Sequence, residues 1–341
     1  MNKKELKSFA VEARRDLREK VALKAEQFGI TETNQVLEIK EDYGQLIVNN
    51  KTFPVELKQA LHTLKKQIDT VGYDQLIEEV AYTWFNRIIA IRYMEVNNYL
   101  PDRVNVLSSS TGKNEPDILV HYETMNLNLS VEDIASLLRE GNQEEAYRKL
   151  FVAQCNSLNQ ALPMLFEEIN DYTELLLPDY LLDSEFIINK LVSNDELTNS
   201  FEEVEVIGWL YQYYNAEPKD KVYAKLKKNG KVEKAEIPSV TQLFTPKWIV
   251  QYLVDNSLGQ LWMEANPDSS LQKSMQYYVE PAKQDNLVKE KLKKIKYKDV
   301  DIEKLTVLDP CAGSGHMLVY AFDLLYEMYL CLLYTSPSPR D

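Results

Sequence analysis

The chain has 341 residues, with 53 acidic against 39 basic side chains and a formal charge of −14. It is long enough for two domains with substantial cores, and an apolar share of 45% excludes a disordered or collagen-like chain. Three cysteines without a Cys-x-x-Cys pair and three scattered histidines, His62, His121 and His316, exclude a disulfide framework and a zinc site. No metal is expected.

Along the chain, the apolar spacing predicts a helix from Lys3 to about Phe28, ended by Gly29. Val36–Lys40 and Gln45–Val48 flank Asp42-Tyr43-Gly44 as a hairpin. Helical spacing resumes over Pro54–Asn98 and recurs in Val131–Glu140, Gln143–Asn156, Leu158–Ile169, Asp183–Lys190 and Val204–Tyr214. A short helix between Lys219 and Lys228 is closed by Asn229-Gly230. Asp42 with Glu56-Leu57-Lys58 has the residue types of a metal-dependent nuclease, but Pro54 suits a helix start better than the strand such a site needs. Arg87 and Arg92, and Trp209 with Tyr211, Tyr213 and Tyr214, are read as packing residues, although such groups can also stack on bases.

Charge is unevenly spread. Between Glu167 and Glu205 the acidic side chains face Lys190 alone, a surface that repels phosphates. The first helix is basic (Lys3, Lys4, Lys7, Arg14, Arg15, Arg18, Lys20, Lys24), and a second cluster comprises Lys289, Lys291, Lys293, Lys294, Lys296 and Lys298. Either cluster can meet a nucleic-acid backbone, but a solvated charged helix face is the favoured reading of each.

Two motifs carry chemistry. Lys304–Leu308 is read as a strand that runs into Asp309-Pro310-Cys311-Ala312-Gly313-Ser314-Gly315-His316, a glycine loop and helix start. Such a loop lets a ligand approach the backbone and offers it the N–H groups of a helix start. A dinucleotide loop would need a third glycine where Leu318 stands, and a P-loop would need a lysine after its glycine. Upstream, Gln242-Leu243-Phe244-Thr245-Pro246 precedes apolar residues at helical spacing, so a helix is expected from Pro246 to about Ala265, with Thr245 as its N-cap. The apolar stretch Met317–Leu333 contains Asp323 and Glu327 and is read as the helix after the loop rather than as a membrane span. There is no signal-peptide pattern, and a cytoplasmic location is expected.

The Gln-x-Phe-Thr-Pro segment followed by Asp-Pro-Cys-Ala-Gly-Ser-Gly resembles the N6-adenine DNA methyltransferases of the gamma arrangement. Ala81–Val96, Leu162–Phe166, Asp171–Pro178, Ile207–Tyr214 and Asn256–Trp262 are similar to segments of the PglX family, the adenine-specific methyltransferases of BREX phage-exclusion systems. The resemblance implies a mainly α N-terminal domain (1–235) and the start of an α/β Rossmann-like methyltransferase domain (236–330). It implies S-adenosyl-L-methionine as cofactor, held by Gln242, Phe244, Thr245, Pro246, Asp309, Pro310, Cys311, Ala312, Gly313 and Gly315. In this reading Asp309 accepts from the donor's α-ammonium group, Cys311–Gly315 wrap its amino-acid portion and Thr245 meets its carboxylate. Double-stranded DNA is the implied substrate and other BREX proteins are possible partners, with no role for a membrane. A methyltransferase acting on RNA or protein, or a non-catalytic interaction module, stays open beside this. The Asn/Asp-Pro-Pro-Tyr/Phe motif that grips the target adenine is absent from these 341 residues. No catalytic residue is therefore assigned, and the chain alone is expected to be inactive. Residues 331–341, ending in Ser336-Pro337-Ser338-Pro339-Arg340-Asp341, look like a translated sequencing adapter and are set aside from the functional reading.

Overall fold

The computed structural model describes residues 1–112, 115–163, 165–166, 172–297 and 300–335. Cα packing divides the chain into two compact units, Met1–Lys221 and Val222–Asp341.

In the first unit, α1 (Lys3–Gln27) is capped by Asn2, whose side chain accepts from the N–H groups of Lys4 and Glu5. Leu6, Ala10, Ala13, Leu17, Val21 and Ala25 form its buried stripe. Three short strands follow, β1 (Ile39–Asp42), β2 (Gln45–Val48) and β3 (Lys51–Pro54), in an antiparallel meander. Asp42 pairs with Gln45, and Val48 with Lys51. Each turn therefore has two residues, and these have positive φ: Tyr43 at 45° and Gly44 at 76°, then Asn49 at 48° and Asn50 at 59°. That is the geometry of the turns whose twist matches a hairpin. The single expected hairpin thus gains a third strand, because Asn-Asn does the work usually signalled by Asn-Gly. Val55–Leu57 is a 3-10 turn leading into α2 (Lys58–Val71), so Glu56 stands at a helix entry. Gly72 then breaks the run that sequence spacing read as one helix, and α3 (Tyr73–Val96) begins.

α3 is the central helix. Val80, Trp84, Phe85, Ile88 and Ile91 are buried, and α1 packs along it. The chain continues through α4 (Ile118–His121), α5 (Val131–Arg139), α6 (Gln143–Leu158), α7 (Tyr172–Leu175), α8 (Ile187–Val192), α9 (Asp195–Ser200), α10 (Glu205–Tyr214) and α11 (Ala216–Leu226), with α10 packed on α1, and α4 and α5 packed on α6. The helix expected over Leu158–Ile169 is not formed at 159–163, where the chain turns, and much of the remainder lies outside the described residues. The aromatics are packing groups as expected: Tyr214 is fully buried with its ring 4.6 Å from Phe85, and Trp84 Nε1 donates to Thr173 O at 3.1 Å. Arg92 is buried too, donating to Glu95 (3.0 Å), Ser108 (3.1 Å) and Thr198 (2.7 Å).

In the second unit come α12 (Ile237–Thr241), α13 (Lys247–Val254), a π-helical turn (Asp255–Gly259), α14 (Gln260–Ala265), α15 (Asn286–Ile295) and α16 (His316–Thr335). Val250, Val254, Trp262, Leu271, Met275, Leu324 and Met328 make its core. The helix expected over Pro246–Ala265 is present but starts at Lys247, with Pro246 as N-cap and no side-chain cap, so Thr245 does not cap it. The strand expected at Lys304–Leu308 is not formed. A 3-10 turn (Ile302–Lys304) leads into extended backbone that lies in no sheet, and Leu308 is 88% exposed. A strand needs a ladder partner, and the one sheet among the described residues is the β1–β3 meander. The Ser336–Asp341 tail lies outside the described residues, and α16 continues through 331–335.

Candidate functional site

The glycine loop is built locally. Asp309 folds back on it, its Oδ1 accepting from Cys311 N at 2.9 Å, a turn that short carboxylate side chains form readily. Gly315 N donates to Ala312 O at 2.7 Å. Gly313 (φ 55°) and Gly315 (φ 74°) adopt the left-handed backbone that other residues resist. A methyl group on Gly315 would meet nothing within 4 Å, so the space in front of the loop is open. Pro310, Cys311, Ala312, Gly313 and Ser314 are exposed and Asp309 half-buried. Directly after Gly315 the chain enters α16, whose first N–H groups have no acceptor within the helix. The loop therefore offers an anion free N–H groups and a helix dipole, and it offers a cation the carboxylate of Asp309. These are the charge types of the two ends of an amino-acid ligand.

The Phe-Thr-Pro segment lies against this loop through a residue that the sequence reading had not singled out for any role. The His316 ring stacks on Phe244, with centroids 4.9 Å apart and planes within 6°, and its Nδ1 lies 3.3 Å from Thr245 O. Gln242 is at the C-cap of the preceding α12, its N–H donating to Pro238 O. One helical turn after His316, Tyr320 donates to the buried carboxylate of Asp255 at 2.9 Å. Burial and this hydrogen bond hold the Tyr320 phenol well above its usual range, so it stays a donor. The second oxygen of Asp255 accepts from Tyr277 N (3.1 Å), while Asn256 donates to Tyr277 O (2.7 Å) and accepts from Val279 N (2.8 Å). Asp255 and Asn256 open the π turn, a wider helical geometry that turns successive polar side chains inward. Gly259 ends it, and a methyl there would come within 2.4 Å of Met275 Sδ. The signal for all this was the i, i+4 stripe His316, Tyr320, Leu324, Met328 on one face of α16.

Elsewhere, no group of three or more His, Cys, Asp or Glu is placed to hold a metal ion among the described residues. A cavity of about 980 Å³ lies in the first unit, lined by Asp102, Asp133, Arg148, Lys149 and Asn156 among others. Its arginine is already committed to the carbonyls of Glu174, Leu177 and Pro178.

No family model matches the chain. It is 41% identical over 338 residues to the adenine-specific methyltransferase BrxX of Escherichia coli O9:H4 (strain HS), which covers 96% of this chain and 28% of that protein. It is also 41% identical over 365 residues to the adenine-specific methyltransferase PglX of Lacticaseibacillus casei (strain Zhang), covering 96% of this chain and 29% of that one. The chain is a homologue of both. The PglX resemblance read from the motifs thus extends over nearly its whole length. The chain itself spans under a third of the length of these BrxX and PglX relatives.

Proposed function

We propose that this chain is part of an S-adenosyl-L-methionine-dependent, adenine-specific (N6) DNA methyltransferase of BREX phage-defence type, with residues 236–330 opening its Rossmann-like catalytic domain. The observation that carries this reading is the meeting of the Phe-Thr-Pro segment and the glycine loop at His316, in a chain 41% identical to two proteins named as adenine-specific methyltransferases. The cofactor, when bound, supplies an electrophilic methyl group. Asp309 would accept from its α-ammonium group. Its Oδ2 has no hydrogen bond among the described residues, Oδ1 being used by Cys311 N. Thr245 and the N–H groups at the start of α16 would receive its carboxylate, with Gln242, Phe244, Pro246, Pro310, Cys311, Ala312, Gly313 and Gly315 as walls. Cys311 acts through its small size, since methylation of an exocyclic amine needs no covalent enzyme adduct.

Double-stranded DNA is the substrate in this reading, and α15 is the surface suited to its phosphates. Lys289, Lys291, Lys293, Lys294 and Lys296 stand on or beside this helix, which has no buried residue. A reducing cytoplasm fits three free thiols, and other BREX proteins are the natural partners. The test is calorimetric. In the complete gene product Asp309→Ala abolishes S-adenosylmethionine binding, and an unchanged affinity refutes the assignment. The purified 341-residue chain has no Asn/Asp-Pro-Pro-Tyr/Phe string and is expected to incorporate no labelled methyl groups into DNA; incorporation would refute this.

A further inference from the structure

The two segments of the candidate cofactor site belong to different elements, one ahead of α13 and the other ahead of α16, and something must hold them in register. Tyr320 and Asp255 join the two helices one turn deeper, inside the core, away from the loop. At the level of the loop itself His316 joins the two segments, through Phe244 and Thr245. Thr245 O precedes the first helical residue of α13 and receives no N–H from within that helix, whose first N–H donors reach Pro246 O. The Nδ1–H of His316 supplies a donor there, at 3.3 Å. Because a carbonyl can only accept, Nδ1 is the protonated nitrogen in this contact. The near-parallel stack on Phe244 fixes the ring plane. The backbone behind His316 is itself held, since Gly315 N and Val319 N bond within the loop and first turn.

We infer that His316 is the positioning residue that sets the Phe-Thr-Pro segment over the glycine loop, and that donor affinity depends on its two separate contacts, the ring stack and the Nδ1–H bond. This rests on the methyltransferase reading above. The inference commits His316 to ligand binding and leaves the reaction itself to other groups, so loss of His316 raises the KM for the methyl donor and leaves kcat at saturating donor within about twofold.

The experiment titrates the complete gene product with S-adenosylhomocysteine by calorimetry. His316→Ala is expected to weaken binding by about tenfold or more, the loss of one hydrogen bond plus one aromatic contact. Two conservative variants separate the contacts. In His316→Asn the amide nitrogen stands near the place of Nδ1 and keeps the bond without the stack. In His316→Phe the ring keeps the stack without the bond. Each is expected to bind between the alanine variant and the wild type, with KM following Kd. If the alanine variant binds like the wild type, or if both conservative variants are as weak as alanine, the inference is overturned. If the alanine variant does not fold, the asparagine and phenylalanine variants still decide. A wild type that binds no S-adenosylhomocysteine refutes the methyltransferase reading itself, whereas a wild type that binds beside an unaffected His316→Ala refutes only the role of His316.

Discussion

Arg92 and Glu95 illustrate how single side chains hold the first unit. Both are buried, and Glu95 also accepts from Leu107 N and Ser108 Oγ, so the pair ties α3 to the loop that follows it. Removing one partner leaves the other charge buried, at a cost of about 3–5 kcal/mol. Glu95→Ala should therefore lower the thermal midpoint of the chain by on the order of 10 °C in a calorimetric or circular-dichroism scan. A midpoint within a degree of wild type would contradict this. Burial, opposed by the Leu107 N–H and Arg92, holds the Glu95 carboxyl above its ordinary range. A raised folded value means its contribution to stability is full below the unfolded pKa and is lost as pH rises through the folded one. Asp179 has the opposite sign. Burial raises it, but hydrogen bonds from Lys24 and Gln27 outweigh that and hold it low. Its contribution is present above the ordinary carboxylate range and lost as pH falls through the folded value. Asp179→Asn should be less stable than wild type in urea at neutral pH, with the gap closing below about pH 4. A gap that stays constant with pH would rule out the ionised pair as its source. Burial also pushes the Cys155 thiol up to about 12, whereas Cys311 is exposed. Iodoacetamide at pH 8 should label Cys311 in the native chain and reach Cys155 only after denaturation, as read by peptide mass mapping.

Among the elements, the two lysine-rich helices part company. The basic side chains of α1 are largely spent inside the first unit: Arg14 and Arg18 on Glu78, Arg15 on Glu217, and Lys24 on Asp179. The acidic stretch that looked like a phosphate-repelling face supplies part of that pairing, and Lys190 in turn meets Glu12. Among the described residues α15 has one such pair, Lys293 with Glu290, and none of its residues is buried. If the complete gene product binds DNA through α15, then Lys289→Glu, Lys291→Glu and Lys296→Glu together should flatten the dependence of log K on log salt by roughly one unit per lost phosphate contact. Arg15→Gln in α1 should leave that slope unchanged. A slope that the α15 variants do not alter would remove this helix from the DNA surface.

For the molecule as a whole, the second unit stands out by what it leaves uncovered. Phe322 (68%), Tyr326 (55%) and Leu333 (57%) of α16 face outward, as do Leu308 (88%) on the extended segment and Trp248 (55%) on α13. By length and composition α16 could cross a membrane, at mean hydropathy 1.3 over His316–Leu333. Its His316–Met328 stripe, however, is used against α13, the π turn and the core around Trp262. Apolar exposure of this kind favours self-association. The 341-residue chain should bind an apolar dye such as ANS and sediment as concentration-dependent oligomers. Phe322→Glu with Tyr326→Lys should reduce both, and a wild type that stays monomeric and dye-silent at high concentration would show that this face is harmless.

Much of this protein was determined locally. The long helices follow from apolar residues recurring every three or four positions, as in α1 and α6, and a β-turn region follows from Tyr43-Gly44. The glycine loop and the Phe-Thr-Pro segment were legible because each is a contiguous string whose residue types have a backbone meaning: glycines at positive φ, and proline at a helix entry. The features misread were those set by partners. Lys304–Leu308 has the composition of a strand, but a strand exists only with a neighbour to complete its hydrogen bonds, and none lies beside it among the described residues. Thr245 has the chemistry of an N-cap, yet the helix starts at Lys247 and its first N–H bonds close on Pro246 O. His316 was one of three scattered histidines until packing of α16 on α13 laid its ring on Phe244. Asp255 is fully buried only because Tyr320 and the Tyr277 N–H arrive from distant parts of the chain to satisfy it. Local strings determine backbone conformation because sterics act between neighbours. Which side chains meet is decided by the burial of whole helix faces, and that appears only in the tertiary structure.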